Sequence, residues 1–135
     1  EQTFAFIADK AKGNFVVVIS GGGTAISQEL KAAGVSFEFG PAGRFTDYKG
    51  RQIARDILER HQASLQDEFV LRGINAVAVI PVIEIGTVLC HVNGDDFLKL
   101  GYNSFDELYC LAKQENREKK EDILKGYPKI VIIGI

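Results

Sequence analysis

The chain has 135 residues, of which 46% are apolar and 25% charged, a composition typical of one soluble globular domain. Its net charge of −2 gives no reason to expect nucleic acid or an anionic membrane as a partner. No apolar run approaches the roughly 18 residues of a membrane span, and the N-terminal residues "EQTFAF" lack a signal-peptide pattern. We therefore expect a cytoplasmic protein in which Cys90 and Cys110 are small buried side chains rather than a disulfide framework.

The two ends of the chain suggest that it belongs to something longer. It contains no methionine, and its last residues, "KIVIIGI", read as a strand. We therefore expect residues 1–135 to be a single domain and a piece of a longer protein.

The N-terminal half alternates helical and strand patterns. A first helix is indicated by apolar residues at helical spacing, namely Phe4, Ile7, Ala8 and Ala11. The apolar run Val16 to Ile19 predicts a central strand covered on both faces. Three glycines follow, and Thr24 is expected to cap a helix that Gly34 ends.

The middle of the chain holds the longest predicted helix. "VSFEF" alternates like a short strand, and Asp47 is expected to cap a helix that Gly73 ends. Its apolar stripe consists of Ala54, Leu58, His61, Leu65 and Phe69, which makes His61 a core or interface residue.

The C-terminal half reads as strands around one more helix. "NAVAVIPVIEIGTVLCHV" predicts one or two strands broken near Pro81 and Gly86. Ser104 and Glu107 have the spacing of a capping box, which predicts a helix running through "KQENREKKED" before a last strand. This alternation predicts an α/β fold, specifically a three-layer αβα sandwich with a mainly parallel sheet.

The glycine turn Gly21–Gly22–Gly23 falls where such a sheet places ligands, at the carboxyl end of a strand. Bare backbone allows close approach of a ligand, and the N–H groups of the following helix can bind an anion. The alternative is a tight turn in which the glycines serve packing alone.

The order of "VVVISGGGTAISQELKAAGV", "GRFTD", a long helix and "GINAVAV" resembles the amino-acid kinase family, and within it the acetylglutamate kinases. The resemblance covers roughly Val16 to Val79 and implies an amino-acid-kinase-like fold, here its substrate-binding lobe. It implies ATP-dependent phosphorylation of the side-chain carboxylate of an N-acylated acidic amino acid, as in arginine biosynthesis, by a cytoplasmic homo-oligomer. ATP and Mg²⁺ are implied by the resemblance alone.

The same resemblance implies roles for particular residues. Gly21, Gly22 and Gly23 would hold the reacting carboxylate or the phosphoryl group through their N–H groups. Arg44 would grip the α-carboxylate of the substrate, with a solvated surface arginine as the alternative. Thr46 and Asp47 would cap the next helix and brace Arg44.

A second segment, "CHVNGDDF", resembles the family's Asn-x-Asn-Ala-Asp segment. It implies that Asn93 contacts substrate and that Asp95 is catalytic by orienting lysines, with His91 in place of the first asparagine. An Asn-Gly turn explains the same residues. A metal site at His91, Asp95 and Asp96 would lack further ligands, so we assign no metal.

Three departures from the family pattern bear on activity. The chain lacks the family's Lys-x-Gly-Gly strand, Ser20 stands where the acetylglutamate kinases usually have His, and no nucleotide-binding half is evident. We therefore expect residues 1–135 alone to have no phosphotransferase activity. Two other functions stay open: a non-catalytic domain that binds an amino acid or regulates an enzyme, and an assembly domain that uses the helix after Asp47 as a subunit contact.

Overall fold

The structure, a computed structural model, describes residues 1–40, 43–85, 88–91 and 93–135, and at residues 43, 83–85 and 88–91 it describes the backbone alone. The α-helices in these residues are α1 Gln2–Lys10, α2 Gly23–Ala32, α3 Tyr48–Leu71, α4 Gly94–Leu100 and α5 Arg117–Ile123. The strands are β1 Val16–Ile19, β2 Phe37–Gly40, β3 Gly43–Thr46, β4 Ala76–Val79, β5 Val82–Ile85, β6 Val88–His91, β7 Leu108–Ala112 and β8 Ile130–Gly134. A short 3-10 helix, Gln114–Asn116, precedes α5.

The strands pair two by two. β1 is parallel to β4, with Val16 opposite Ala76, and β7 is parallel to β8. The other two pairs, β2–β3 and β5–β6, are antiparallel. The chain is therefore a mixed α/β protein, as its sequence predicts. Within the described residues β1 has β4 as its one strand neighbour and is only partly buried, so the central, doubly covered position predicted for it is not seen.

In the part of the chain that the structure describes, three hydrophobic clusters form the core, and α3 contributes to two of them. The first cluster places Ala54, Ile57 and Leu58 of α3 against Ile26 and Leu30 of α2. The second packs Phe69, near the other end of α3, against α1, β1 and β4, and the third lies between β7, β8, α4 and α5. Phe6 of α1 meets the ring of Tyr109 edge to face at 5.2 Å and so connects the second cluster to β7.

The boundaries of α3 follow from local chemistry. The Asp47 carboxylate accepts a hydrogen bond from the Gly50 N–H at 2.8 Å, which confirms the predicted N-cap. Gly73, with φ of 65°, follows the helix in the left-handed conformation that glycine adopts at little cost. Thr24, by contrast, is not an N-cap: α2 begins one residue earlier, with Gly22 in the capping position.

Amide side chains of α3 bind the backbone of β4. Gln66 donates to the Ala76 carbonyl at 3.1 Å and accepts from the Ala78 N–H at 2.9 Å. Gln62 donates to the Ala78 carbonyl at 2.8 Å. The edge of β4 that faces away from β1 is thus satisfied by a helix.

The C-terminal half differs from its prediction. Ser104 and Glu107 do not open a helix, because the residues that follow form β7. Helical structure is found only in the later part of the predicted helix, as the 3-10 helix Gln114–Asn116 and α5. Asn93 and Gly94 do not form a hairpin turn, since the side-chain amide oxygen of Asn93 caps α4 by accepting a hydrogen bond from the Asp95 N–H at 3.0 Å. Pro81 separates β4 from β5 as predicted, but this segment forms three strands, β4, β5 and β6, where one or two were predicted, and Gly86 lies outside the described residues.

Among the described residues, none of the helices has both the length and the apolar character that crossing a membrane requires.

Candidate functional site

The glycine turn lies between β1 and α2, on top of α3. The Ser20 N–H extends the β1–β4 pairing by donating to the Val79 carbonyl at 2.9 Å. A Cβ added at Gly22 would lie 3.3 Å from Nδ1 of His61 and 3.4 Å from Leu58, so the turn rests closely on α3. No hydrogen-bond acceptor among the described residues takes the N–H groups of Gly22, Gly23 or Thr24. These groups form the positive end of α2 and are open to an anion.

Arg44 reaches this turn from β3. Its Nη2 donates to the Gly23 carbonyl at 2.9 Å. Its guanidinium lies 4.7 Å from the ring centre of Phe37 and 4.8 Å from that of Phe39, which is the residue opposite Arg44 in the β2–β3 pair. Two rings and one carbonyl therefore hold the guanidinium beside the first turn of α2.

The second terminal nitrogen of the guanidinium has no partner in the part of the chain that the structure describes. Nη1 of Arg44 is buried without a hydrogen bond, and Arg44 forms no ion pair with any described residue. Burial lowers the pKa of Arg44 from its ordinary value, because desolvation penalises the charged form. A cation without a counter-ion next to the positive end of a helix is the electrostatic complement of a carboxylate or phosphate.

Thr46 and Asp47 were both predicted to cap the helix that follows Arg44, but only one of them does. Asp47 caps α3, as described above. The Thr46 hydroxyl instead donates to the Ser36 carbonyl at 3.1 Å and ties the end of β3 to the residue before β2. Together they fix both ends of the segment that carries Arg44.

Three side chains that contact Arg44 or the glycine turn were not predicted to do so from the sequence. Phe37 and Phe39 belong to "VSFEF", where alternation puts them on one face of a strand but does not show that the face meets Arg44. His61 was predicted to be a core or interface residue, and it is partly buried with Nδ1 3.5 Å from the Gly21 carbonyl oxygen.

Asn93 and Asp95 lie in a second polar cluster at the start of α4. Asp95 is the buried acidic residue among those described, with 7% exposure. Lys120 of α5 donates to both of its carboxylate oxygens, at 2.7 and 2.5 Å. The neighbouring Asp96 accepts from Lys99 at 2.9 Å, and the side chain of His91 lies outside the described residues.

Cys110 lies next to this ion pair. Burial raises the pKa of the Cys110 thiol, and the negative charge of Asp95 raises it further. The thiol is free and buried, as its sequence context predicts, whereas the side chain of Cys90 lies outside the described residues.

The two polar clusters are separate in the part of the chain that the structure describes. Arg44 and the glycine turn rest on the first hydrophobic cluster, while Asp95 and Lys120 adjoin the third. No hydrogen bond or ion pair between described residues connects Arg44 or Gly21–Gly23 with Asn93 or Asp95. The structure thus brings together four of the six residues predicted for the site, Arg44 and Gly21–Gly23, and places Asn93 and Asp95 in the other cluster.

Comparison with known proteins adds no family assignment, since no family model, curated protein or solved structure matches the chain. The fold and the site define a mixed α/β protein with a glycine turn, in which three N–H groups and the Arg44 cation have no partner among the residues that the structure describes.

Proposed function

We propose that the chain is an amino-acid-kinase-like substrate lobe that binds an N-acylated acidic amino acid. One carboxylate of the ligand binds Arg44, and the other binds the N–H groups of the glycine turn. In the whole protein this lobe presents the side-chain carboxylate of the ligand for phosphorylation by ATP, as acetylglutamate kinases do.

The observation that carries this proposal is the bond between Arg44 Nη2 and the Gly23 carbonyl. It places the buried Nη1 of a guanidinium at the N-terminal end of α2, and neither this atom nor the first N–H groups of the helix have a partner among the described residues. Buried polar atoms without partners are rare in folded proteins, so a ligand that binds Nη1 of Arg44 is the simplest explanation for this atom. The N–H groups of the turn belong to exposed or partly buried residues and are accessible to the same ligand. A dicarboxylate has one anionic group for Arg44 and one for these N–H groups.

We also propose how the paired strands and the helices are arranged in layers. We infer a three-layer αβα sandwich with a mainly parallel sheet, supported by the parallel pairs β1–β4 and β7–β8 and by the packing of α3 on β4. The antiparallel β2–β3 pair would be an appendage of that sheet, and it carries Arg44.

ATP and Mg²⁺ rest on the resemblance alone, and we assign neither to residues of this chain. Asp95 and Asp96, the acidic side chains next to Asn93, are each bound by a lysine, so this pair does not fit a Mg²⁺ site. Asp95 does contact a lysine, which agrees with the orienting role that the resemblance implies for it.

A second candidate function is a non-catalytic domain that binds the same amino-acid ligand and regulates a partner enzyme. The separation of the Asp95–Lys120 pair from Arg44 in the described residues favours it. An assay of ATP-dependent acyl phosphate formation by the whole protein distinguishes the two functions, because only the kinase forms product.

Binding itself is tested by titrating N-acetyl-L-glutamate into the chain, followed by calorimetry or by NMR. Arg44→Ala should weaken binding by about thirtyfold, since a charged hydrogen-bonded contact contributes about 2 kcal/mol. Arg44→Lys should recover only part of the affinity, because an ammonium cannot replace the planar fork of a guanidinium.

The matched control is Arg117→Ala, which removes the same charge from an exposed position on α5. It should leave the affinity unchanged. Equal affinity in the wild-type protein and Arg44→Ala, with both folded by circular dichroism, would show that Arg44 is a surface residue and would refute the proposal.

A further inference from the structure

His61 lies directly beneath the glycine turn. Its Nδ1 atom is 3.5 Å from the Gly21 carbonyl oxygen, and the same atom is the nearest neighbour of a Cβ built on Gly22. The ring therefore faces the peptide group that joins these two glycines. It reaches that peptide from α3, a helix of the first hydrophobic cluster.

We propose that His61 is a positioning residue for the anion-binding turn, in which Nδ1–H donates to the Gly21 carbonyl and fixes the Gly21–Gly22 peptide. This inference rests on the proposed function. A trans peptide is planar, and its C=O and N–H point in opposite directions. With the Gly21 carbonyl directed at α3, the Gly22 N–H points away from α3, and it has no partner among the described residues.

The turn needs such a restraint because both residues that flank the peptide are glycines. Without Cβ atoms, the peptide between them can rotate to the opposite orientation with little steric cost. That rotation would direct the Gly21 carbonyl oxygen toward the ligand and the Gly22 N–H toward α3. The oxygen would repel the carboxylate that the N–H otherwise binds, so the bond from His61 keeps the turn in its binding orientation.

The first test uses the free protein and needs no ligand. Long-range ¹H–¹⁵N correlation at about pH 8.5, where an unperturbed histidine is neutral, reports which ring nitrogen carries the proton. We expect the Nδ1–H form for His61. A ring protonated only at Nε2 would overturn the proposal, because its Nδ1 would be an acceptor facing another acceptor.

The second test compares two variants of His61. Asn carries an N–H donor at nearly the position of Nδ1, whereas Leu has a similar volume and no donor. His61→Leu should shift the Gly22 amide resonance and lower the affinity for N-acetyl-L-glutamate about fivefold, and His61→Asn should restore both to near wild-type values. Leu65→Ala, one turn further along α3, controls for loss of packing and should change neither.

The outcomes separate this inference from the proposed function. Failure of the wild-type chain to bind N-acetyl-L-glutamate refutes the proposed function, while the tautomer and the Gly22 resonance still report on His61. An unchanged Gly22 resonance in folded His61→Leu would show that the imidazole does not set the orientation of the peptide.

Discussion

Lys120 contacts both oxygens of the buried Asp95 carboxylate and so joins α5 to the first turn of α4. α5 has no fully buried residue between Arg117 and Ile123, so it is attached to the third cluster by this ion pair, by the partly buried Ile123 and by the adjacent Leu124. The pair is asymmetric, because the Asp95 side chain is 8% exposed and that of Lys120 28% exposed.

Replacing Lys120 should therefore be costly. Lys120→Met leaves a buried carboxylate without its cation, and we expect a loss of about 2–4 kcal/mol in the free energy of unfolding, measured with urea. The double variant Asp95→Asn with Lys120→Met should recover much of the loss. Lys99→Met is the control, since the side chain of its partner Asp96 is 46% exposed to solvent and can be hydrated without the lysine, and it should cost less than about 1 kcal/mol. Equal losses in the two single variants would contradict the assignment.

Gly50 and Gly134 each lie so close to a neighbouring side chain that a Cβ atom added there would require that side chain to move. A Cβ at Gly50 would lie 2.0 Å from Thr46 Oγ1 and 3.0 Å from Thr46 Cβ, which is held by the backbone of β3. We expect Gly50→Ala to destabilise the fold by about 1–3 kcal/mol, because the stiff threonine has to move.

The control for Gly50→Ala is Gly134→Ala. A Cβ at Gly134 would also lie 2.0 Å from its nearest neighbour, but that neighbour is the end of the flexible Gln114 side chain. We expect Gly134→Ala to lower the thermal stability of the fold less than Gly50→Ala does. The double variant Gly50→Ala with Thr46→Ala should recover part of the stability that Gly50→Ala loses. A larger loss at Gly134 would show that the Thr46 contact is not limiting.

The side-chain amide of the partly buried Gln66 is expected to contribute to the stability of the fold. Gln66→Leu keeps the size of the side chain but leaves the Ala78 N–H and the Ala76 carbonyl without partners. We expect a loss of about 1–3 kcal/mol in unfolding free energy and faster hydrogen exchange at Ala78. Gln52→Leu, on the exposed face of α3, should have little effect on either measurement.

The contact between α1 and β7 predicts a pH dependence. A hydrogen bond from Tyr109, followed by one from Lys10, lowers the pKa of Glu107 from its ordinary value. The lowered pKa means that the carboxylate favours the folded state above the ordinary glutamate pKa. This stabilisation is lost as the pH falls through the lowered value.

An NMR titration of the Glu107 carboxyl group tests this. Tyr109→Phe removes the largest cause and should raise the Glu107 pKa toward its ordinary value, whereas Tyr127→Phe, in the third cluster, should leave it unchanged. An unaltered pKa in Tyr109→Phe would assign the shift to Lys10 alone.

The elements that the sequence predicted well have their determinants close by in the chain. Asp47 and Gly73 mark the ends of α3, and the β-branched run at Val16–Ile19 marks β1. The prediction at Ser104 and Glu107 is wrong because it used local information alone. The capping pattern is local, whereas the structure of this segment is decided by an interaction with a distant part of the chain. Pairing with β8 makes Leu108–Ala112 a strand, and Glu107 bonds to Lys10 and Tyr109 instead of capping a helix.

The site shows the same division between local and distant information. The order of motifs predicted that Arg44 and the glycine turn act together, and their contact is present in the structure. Whether they bind substrate stays a prediction. The roles of His61 and Lys120 could not be predicted from the sequence, because each depends on a partner 40 or 25 residues away that only the folded chain brings near.

The side-chain amides of Gln62 and Gln66 also determine at which edge the two-stranded β1–β4 sheet can accept a further strand. They occupy the hydrogen-bonding groups of Ala76 and Ala78, and a side-chain amide, unlike a strand, presents no new row of donors and acceptors beyond itself. A further strand can therefore be added at one edge of the sheet only, the edge of β1 that faces away from β4. For protein engineering, a grafted peptide strand or the second half of a split reporter should be matched to the register of Val16–Ile19, because a strand directed at β4 would first have to displace α3.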